Sequence, residues 1–254
     1  MDILIKTEIL ISALQNVISV IDKSFTKPIL SNFMIQTLEN EGEQGMVEFS
    51  ATDYELSIIE RIPAQIKTSG SICINAKRVF DITREFRAEE IHIRSTEQLW
   101  VQITCGASEL RLPSVEVGLY PQPKIEELNQ QLKISALDLA QCIDLTLFAS
   151  QTNESRRNLM GVALSMTEDQ RTRWQATDGH RLAQVIQPVE EMNFGEVTEI
   201  ILPRKALMEI RKVCDLMGEM VDITFDERVA QFSGNRIHFK TRLIEGKFPN
   251  CDPI

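Results

Sequence analysis

The chain has 254 residues, 43% of them apolar and 25% charged, with a formal net charge of −10 at pH 7. That length holds one large domain or two ordinary ones, and the composition is that of a globular protein rather than a collagen-like or disordered one. No apolar run approaches the roughly 18 residues of a membrane span. The opening MDILIKTEIL carries an acid at position 2 and lacks a leader's basic start and long apolar core, which predicts a cytosolic protein. Five cysteines, an odd number with no CxxC among them, argue against a disulfide framework or a zinc site; they are expected to be small apolar residues. Net acidity argues against a surface that embraces nucleic acid as a whole, so the distribution of charge has to decide.

In chain order, ILIKTEIL (3–10) leads into a helix expected from about Ile9 to Ile21, with Leu10, Ala13, Leu14, Val17 and Ile21 as its apolar stripe. KPILSNF (27–33) follows, then VEFSA (47–51) with strand alternation and the frame ATDYELSIIE (51–60). INAKRVFDI (74–82) opens a second helix over 76–87, with Asn75 as its N-cap. EIHIRS (90–95) and WVQITC (100–105) alternate as strands, and GLYPQ (118–122) closes the series. PQPKIEELNQQ (121–131), two prolines and then a polar run, reads as a linker.

The series then begins again. LKISALDL (132–139) aligns with ILIKTEIL, and Ser135 with Asp138 predicts a helix N-terminus. GVALSM, RWQATD, MVDITF and RIHFKTRL supply strands. ATDGHRLAQV (176–185) restates ATDYELSIIE, LPRKALMEI (202–210) restates INAKRVFDI with Pro203 suiting a helix start, and GKFPN (246–250) restates GLYPQ. Several landmarks in one order at nearly one spacing define an internal repeat. The expected units are 1–122 and 132–250, joined by 123–131, and the fold class is α+β: two repeated units, each with two helices on antiparallel sheets.

The repeat also keeps charge. At about 100° per residue, Val79, Ile82 and Phe86 share one face of helix 76–87, and Lys77 and Arg84 lie opposite. In helix 204–214, Leu207, Ile210 and Cys214 face inward, and Lys205 and Lys212 lie opposite, each 128 residues after its counterpart. Asp81 and Glu209 share those outer faces, so a solvated helix surface laced with salt bridges is one reading. The other is a surface facing phosphates, where each cation displaces counterions and positions the partner without reading bases.

Asp178 and His180 raise the question of catalysis. Two apart on an extended strand they would point to the same side and could form a general base. A nucleophile or metal would still be needed; His92 and His238 stand between apolar strand neighbours and should point outward, and GxSxG, HExxH and Gly-rich phosphate loops are absent. The first unit keeps the frame without the histidine. The expectation is a binding protein, not an enzyme, with no cofactor.

ATDGHRLA, KPILSNF, RNLMG (157–161), ILPRKAL (201–207) and EGKFPN (245–250) resemble the bacterial DNA polymerase III β sliding clamp family over the whole chain. The resemblance implies repeated units of two helices and paired antiparallel sheets, joined in a ring that encircles duplex DNA without sequence specificity and tethers the replicative polymerase. With the helix phase it marks Lys77, Arg84, Lys205 and Lys212 as lining the hole. It adds Lys23 and Lys27 in the loop before PIL, where the family often has an arginine and this chain has Ser24, and Asn153 and Arg156 in the loop after the first helix of the second unit. It implies a pocket for short linear motifs of polymerase and clamp-loader subunits, lined by Leu159, Thr177, Gly179, His180, Arg181, Leu182, Pro249 and Ile254. It further implies three units per chain, so that 251–254 would begin a linker towards a third and the chain would be a piece of a longer one. A two-unit chain closing as a homotrimer, and a protein-interaction scaffold that does not bind DNA, are the alternatives.

Overall fold

In the computed structural model, which describes residues 1–21, 27–38, 45–153 and 156–251, the chain divides into two compact units, Met1–Lys124 and Ile125–Ile254. The first runs β1 (Asp2–Lys6), α1 (Thr7–Ile18), β2 (Asn32–Leu38), β3 (Gly45–Thr52), β4 (Leu56–Thr68), β5 (Ser71–Asn75), α2 (Ala76–Thr83), β6 (Glu90–Thr96), β7 (Trp100–Cys105) and β8 (Ser108–Val115). Its strands pair antiparallel in the order β1-β6-β7-β8-β5-β2-β3-β4, and β4 pairs with β1 again, so the ladder closes on itself. Ile3 and Ile5 on β1, Ile91 and Ile93 on β6, and Val101 and Ile103 on β7 are buried at the two-residue spacing a strand imposes. On α1, Leu10, Ala13, Leu14 and Val17 are buried at helical spacing. Each large aliphatic side chain so removed from water contributes about 1.5–3 kcal/mol.

The helices differ from expectation at their ends. α1 begins at Thr7, two residues early, because the Thr7 N–H donates to the Glu89 carbonyl at 2.9 Å and its hydroxyl to the Ala88 carbonyl at 2.6 Å. It stops at Ile18, and Ile21 is buried in the turn beyond. α2 is capped as expected, Asn75 Oδ1 accepting the Arg78 N–H at 3.1 Å. It ends at Thr83 rather than 87, where the N–H groups of Glu85 and Phe86 bond to the carbonyls three residues back, the tightening common at helix C-termini. Its inward residues are Ala76, Val79 and Thr83, with Ile82 and Phe86 half-buried.

The second unit repeats the series as β9 (Gln130–Ser135), α3 (Ala136–Thr146), β10 (Gly161–Met166), β11 (Thr172–Thr177), β12 (Leu182–Gln187), β13 (Glu191–Asn193), β14 (Glu199–Pro203), α4 (Arg204–Val213), β15 (Met220–Phe225), β16 (Val229–Gly234) and β17 (Ile237–Arg242). Two antiparallel sheets form within it, β12-β11-β10-β14 and β13-β9-β15-β16-β17. Where β4 is one long strand, its counterpart is split into β12 and β13, which pair with β11 and β9. Ser135 caps α3: its Oγ accepts the Asp138 N–H at 3.0 Å and donates to the Asp138 carboxylate at 2.7 Å. Pro203 sits one position before α4, still in the ladder opposite Gly161. Trp174 is fully buried, its indole N–H donating to the Thr172 hydroxyl at 3.1 Å.

The segment 125–129 belongs to the second unit by its bonds. The Glu126 N–H donates to Gln231 Oε1 at 2.8 Å, the Gln231 amide donates back to the Glu126 carbonyl at 2.7 Å, and Lys240 pairs with the Glu126 carboxylate. Cys73, Cys105, Cys142 and Cys214 are buried free thiols. Burial pushes Cys73 and Cys142 up to about 12 and Cys214 to about 11, which suits small apolar side chains.

Candidate functional site

Two features stand out: the outward faces of α2 and α4, and the turn between β11 and β12. On α2, Lys77 in the first turn and Arg84 at the C-terminal cap are exposed. Arg84 Nε lies 3.3 Å from the Glu85 carboxylate. On α4, Lys205 and Lys212 are exposed at the matching positions. Lys212 Nζ donates to both oxygens of Glu209 at 2.8 and 2.7 Å. Glu209 is 8% exposed, which corrects its placement on the outer face: the lysine folds back over it, and the pair satisfies a carboxylate that would otherwise be costly to bury. Arg211 crosses from α4 to α3, its Nε 2.9 Å from both oxygens of Asp144. The outer face of α4 therefore carries exposed Lys205 and Lys212 beside half-buried Arg211.

Lys27 is exposed, with its ammonium 4.4 Å from the centroid of the Tyr54 ring. Asn153 and Arg156 are exposed on the loop that follows α3. Lys23 and Ile254 lie outside the described residues.

The Thr177–Leu182 segment is a turn, which corrects the extended-strand reading of Asp178 and His180. β11 ends at Thr177 and Gly179 has φ +92°, a conformation glycine adopts without strain. Thr177 Oγ1 accepts the Gly179 N–H at 3.0 Å and donates to the Arg181 carbonyl at 2.6 Å. Asp178 Oδ1 accepts the backbone N–H groups of His180 and Arg181 at 2.9 and 3.1 Å, and its Oδ2 accepts from Arg181 Nε at 2.9 Å. Those bonds, the His180 N–H foremost, hold the Asp178 carboxyl below its usual range. The carboxylate is thus spent on the turn and on Arg181; it does not orient the His180 imidazole, which is exposed. Among the described residues no group of three or more His, Cys, Asp or Glu side chains could hold a metal ion. His92 and His238 stand on strands, bonded to Asp2 at 2.7 Å and Ser233 at 3.0 Å.

The turn is braced from two sides. Arg181 Nη2 donates to the Phe148 carbonyl at 2.8 Å, and its guanidinium lies 5.6 Å from the Phe148 ring centroid. Arg204, the first residue of α4, donates to the Leu147 carbonyl at 2.6 Å and to Ser150 Oγ at 2.8 Å. The Gln151 N–H donates to the Leu159 carbonyl at 2.8 Å. Leu159 is buried in a cluster with Ala163, Ile201 and Phe248, against which Ile244 and Cys251 pack. Asn158 Nδ2 donates to the Lys247 carbonyl at 2.9 Å, fixing the segment that carries exposed Pro249. Thr177 is buried and Leu182 half-buried, opposite each other across β11 and β12. Arg156 Nη1 lies 3.5 Å from where a Cβ on residue 179 would sit, so the loop read as facing DNA and the turn read as facing peptide adjoin. Sequence reasoning did not single out Phe148, Arg204 and Phe248. Phe248 was recoverable from the repeat, since Tyr120 fills the matching place in GLYPQ; Phe148, 55% exposed just past a helix, carried no periodic signal.

Tandem units of two helices against antiparallel sheets, with cations on the outer faces of the second helices and an apolar cluster beside a polar turn, are the architecture of the DNA clamps. Residues 1–126 match the family model for the DNA polymerase III beta subunit, N-terminal domain, and residues 133–250 that for its central domain. The beta sliding clamp of Caulobacter vibrioides is 31% identical over 255 residues, covering 98% of this chain and 67% of its own, and that of Staphylococcus epidermidis is 30% identical over 258 residues, covering 98% and 66%. Among solved structures, a DnaN sliding clamp from Bartonella birtlesii bound to griselimycin superposes with a TM-score of 0.90 at 30% identity, covering 98% of this chain and 66% of that one; the Bacillus subtilis clamp gives 0.90 at 27%, covering 100% and 67%. The chain belongs to the DNA polymerase III β subunit family, the bacterial β sliding clamps of DNA replication. It spans about two thirds of the length of these relatives. The family is one of non-enzymatic processivity factors, so the chain is a clamp component and not a catalyst. No helix among the described residues is long and apolar enough to cross a membrane.

Proposed function

We propose that the chain provides two units of a ring that encircles duplex DNA in the cytoplasm, without sequence specificity, and tethers the replicative DNA polymerase. The observation that carries the reading is the repeat of outward cations: exposed Lys77 and Lys205 open the second helix of each unit, and Arg84 and Lys212 close it. A helix face bearing cations at both ends suits a phosphate backbone, contacted for position rather than sequence. Lys27, Asn153 and Arg156 extend that surface through loops. The Arg84–Glu85 ion pair, exposed on both sides, suits a cation that exchanges its carboxylate for a phosphate.

The polymerase III and clamp-loader partners dock by short linear motifs at the second unit. Leu159, Leu182 and Pro249 offer apolar contact, and Thr177, Gly179, His180 and Arg181 present a braced polar rim, the composition of a peptide-binding site. Charge reversal at Lys77, Arg84 and Lys205 together tests the assignment, with Lys212 kept to satisfy the buried Glu209 carboxylate. Retention on circular duplex DNA should be lost while a fluorescent motif peptide binds as before. Undiminished retention would favour a scaffold that holds proteins and not DNA.

A further inference from the structure

Four hydrogen bonds of the turn that shapes the second unit's pocket recur in the first unit, without the side-chain bonds of Arg181. Thr52 Oγ1 accepts the Tyr54 N–H at 3.0 Å and donates to the Leu56 carbonyl at 3.1 Å, and Asp53 Oδ1 accepts the N–H groups of Glu55 and Leu56 at 2.9 and 2.6 Å. The position held by Gly179 in the second unit is Tyr54 here, at φ +77°. A bulky side chain in that left-handed region is strained, and such strain persists where the surroundings over-determine it and something is gained. The fold gains little from the ring: Tyr54 is 49% exposed. Among the described residues the ring is met by Lys27, whose ammonium lies 4.4 Å from its centroid. Lys27 leads directly into Pro28–Ser31, and Ser31 Oγ accepts from the side chain of Asn75, the N-cap of α2. The exposed ring and its cation are thereby tied to the end of α2 that carries Lys77.

We propose that Tyr54 and Lys27 form a contact for a nucleic-acid strand, the ring stacking on a base or sugar and the ammonium meeting the adjacent phosphate. The pairing of an aromatic face with a cation is what sequence-independent strand binding uses, since every base has a π-face. Glu55 is exposed beside it and disfavours a broad phosphate track, so the contact is local: one base step, not a groove. The inference rests on the DNA-facing reading of the α2 surface.

Tyr54→Gly isolates the ring, because glycine fits the turn as Gly179 does and the variant should melt no lower than the wild type. Binding of the full chain is measured by anisotropy to three labelled probes: a blunt duplex, the same duplex with a single-stranded overhang, and an oligo-dT strand. Tyr54→Gly should weaken at least one probe by about five- to a hundredfold, the loss of one stacked base, and Tyr54→Phe should restore it. The probe affected tells a paired from an unpaired strand. Unchanged affinity for every probe the wild type binds, or failure of the phenylalanine to restore it, overturns the Tyr54 contact and leaves the DNA reading intact. Failure of the wild type to bind any probe overturns both.

Discussion

Thr177 carries a prediction that joins the turn to its proposed ligand. Thr177→Val keeps the shape of the side chain and removes the hydroxyl. Two bonds go with it, the acceptance from the Gly179 N–H at 3.0 Å and the donation to the Arg181 carbonyl at 2.6 Å. At about 1 kcal/mol net each, less about 0.8 kcal/mol returned by burying a methyl group, the second unit should lose about 1–2 kcal/mol, or roughly 3–8 °C in melting temperature. Trp174, fully buried three residues upstream on β11, reports that transition by fluorescence. Peptide affinity should fall by up to about tenfold, since 1.4 kcal/mol of added ordering cost is a factor of ten. Thr52→Val, at the same place in the first unit, should destabilise that unit and leave the peptide alone. If Thr177→Val changed neither transition nor affinity, or if Thr52→Val weakened the peptide equally, the assignment of this turn to the pocket would be wrong.

Gly161→Ala should destabilise the second unit severely, since a Cβ there would sit 2.2 Å from the Leu202 carbonyl oxygen, and backbone cannot yield as a side-chain tip can; a wild-type denaturation midpoint would refute the close β10–β14 approach. Native protein treated with iodoacetamide near pH 8 should label at half-buried Cys251 and spare the four buried thiols, since labelling follows access to the sulfur; mass spectrometry counts the adducts, and rapid labelling of Cys142 would contradict the packing of α3. Asp178 has a folded pKa below its unfolded value, so its contribution is present above the unfolded pKa of about 4 and is lost as pH falls through the folded one. Asp178→Asn should therefore flatten the acid limb of the second unit's stability curve; an unaltered limb would mean that the turn does not hold the carboxylate.

The repeat made most of the fold legible, because strands of period two and helices of period 3.6 recur at one spacing and only a shared fold requires that. The Asn75 and Ser135 caps were readable since short polar side chains at helix starts have one common use. What escaped depended on tertiary bonds. The tightening that ends α2 at Thr83 is invisible to helical phase. Glu209 reads as an outer residue by phase and is buried because Lys212 closes over it. The spacing of Asp178 and His180 suggested a strand, whereas the Thr177 hydroxyl and Gly179 make a turn. Arg204 gave no sequence signal of its own; it is committed to the Leu147 carbonyl and the Ser150 hydroxyl beyond α3.

The most direct test of the account is the salt dependence of duplex binding, measured on a blunt 30-base-pair duplex for the wild type and for Lys77→Ala combined with Lys205→Ala. Phosphate contact predicts a straight log–log plot with negative slope, the same for unrelated sequences, and a slope shallower by about two in the double variant, one for each lost contact. An identical slope in wild type and variant would mean that α2 and α4 do not face DNA, and the clamp surface would have to be sought elsewhere on the chain.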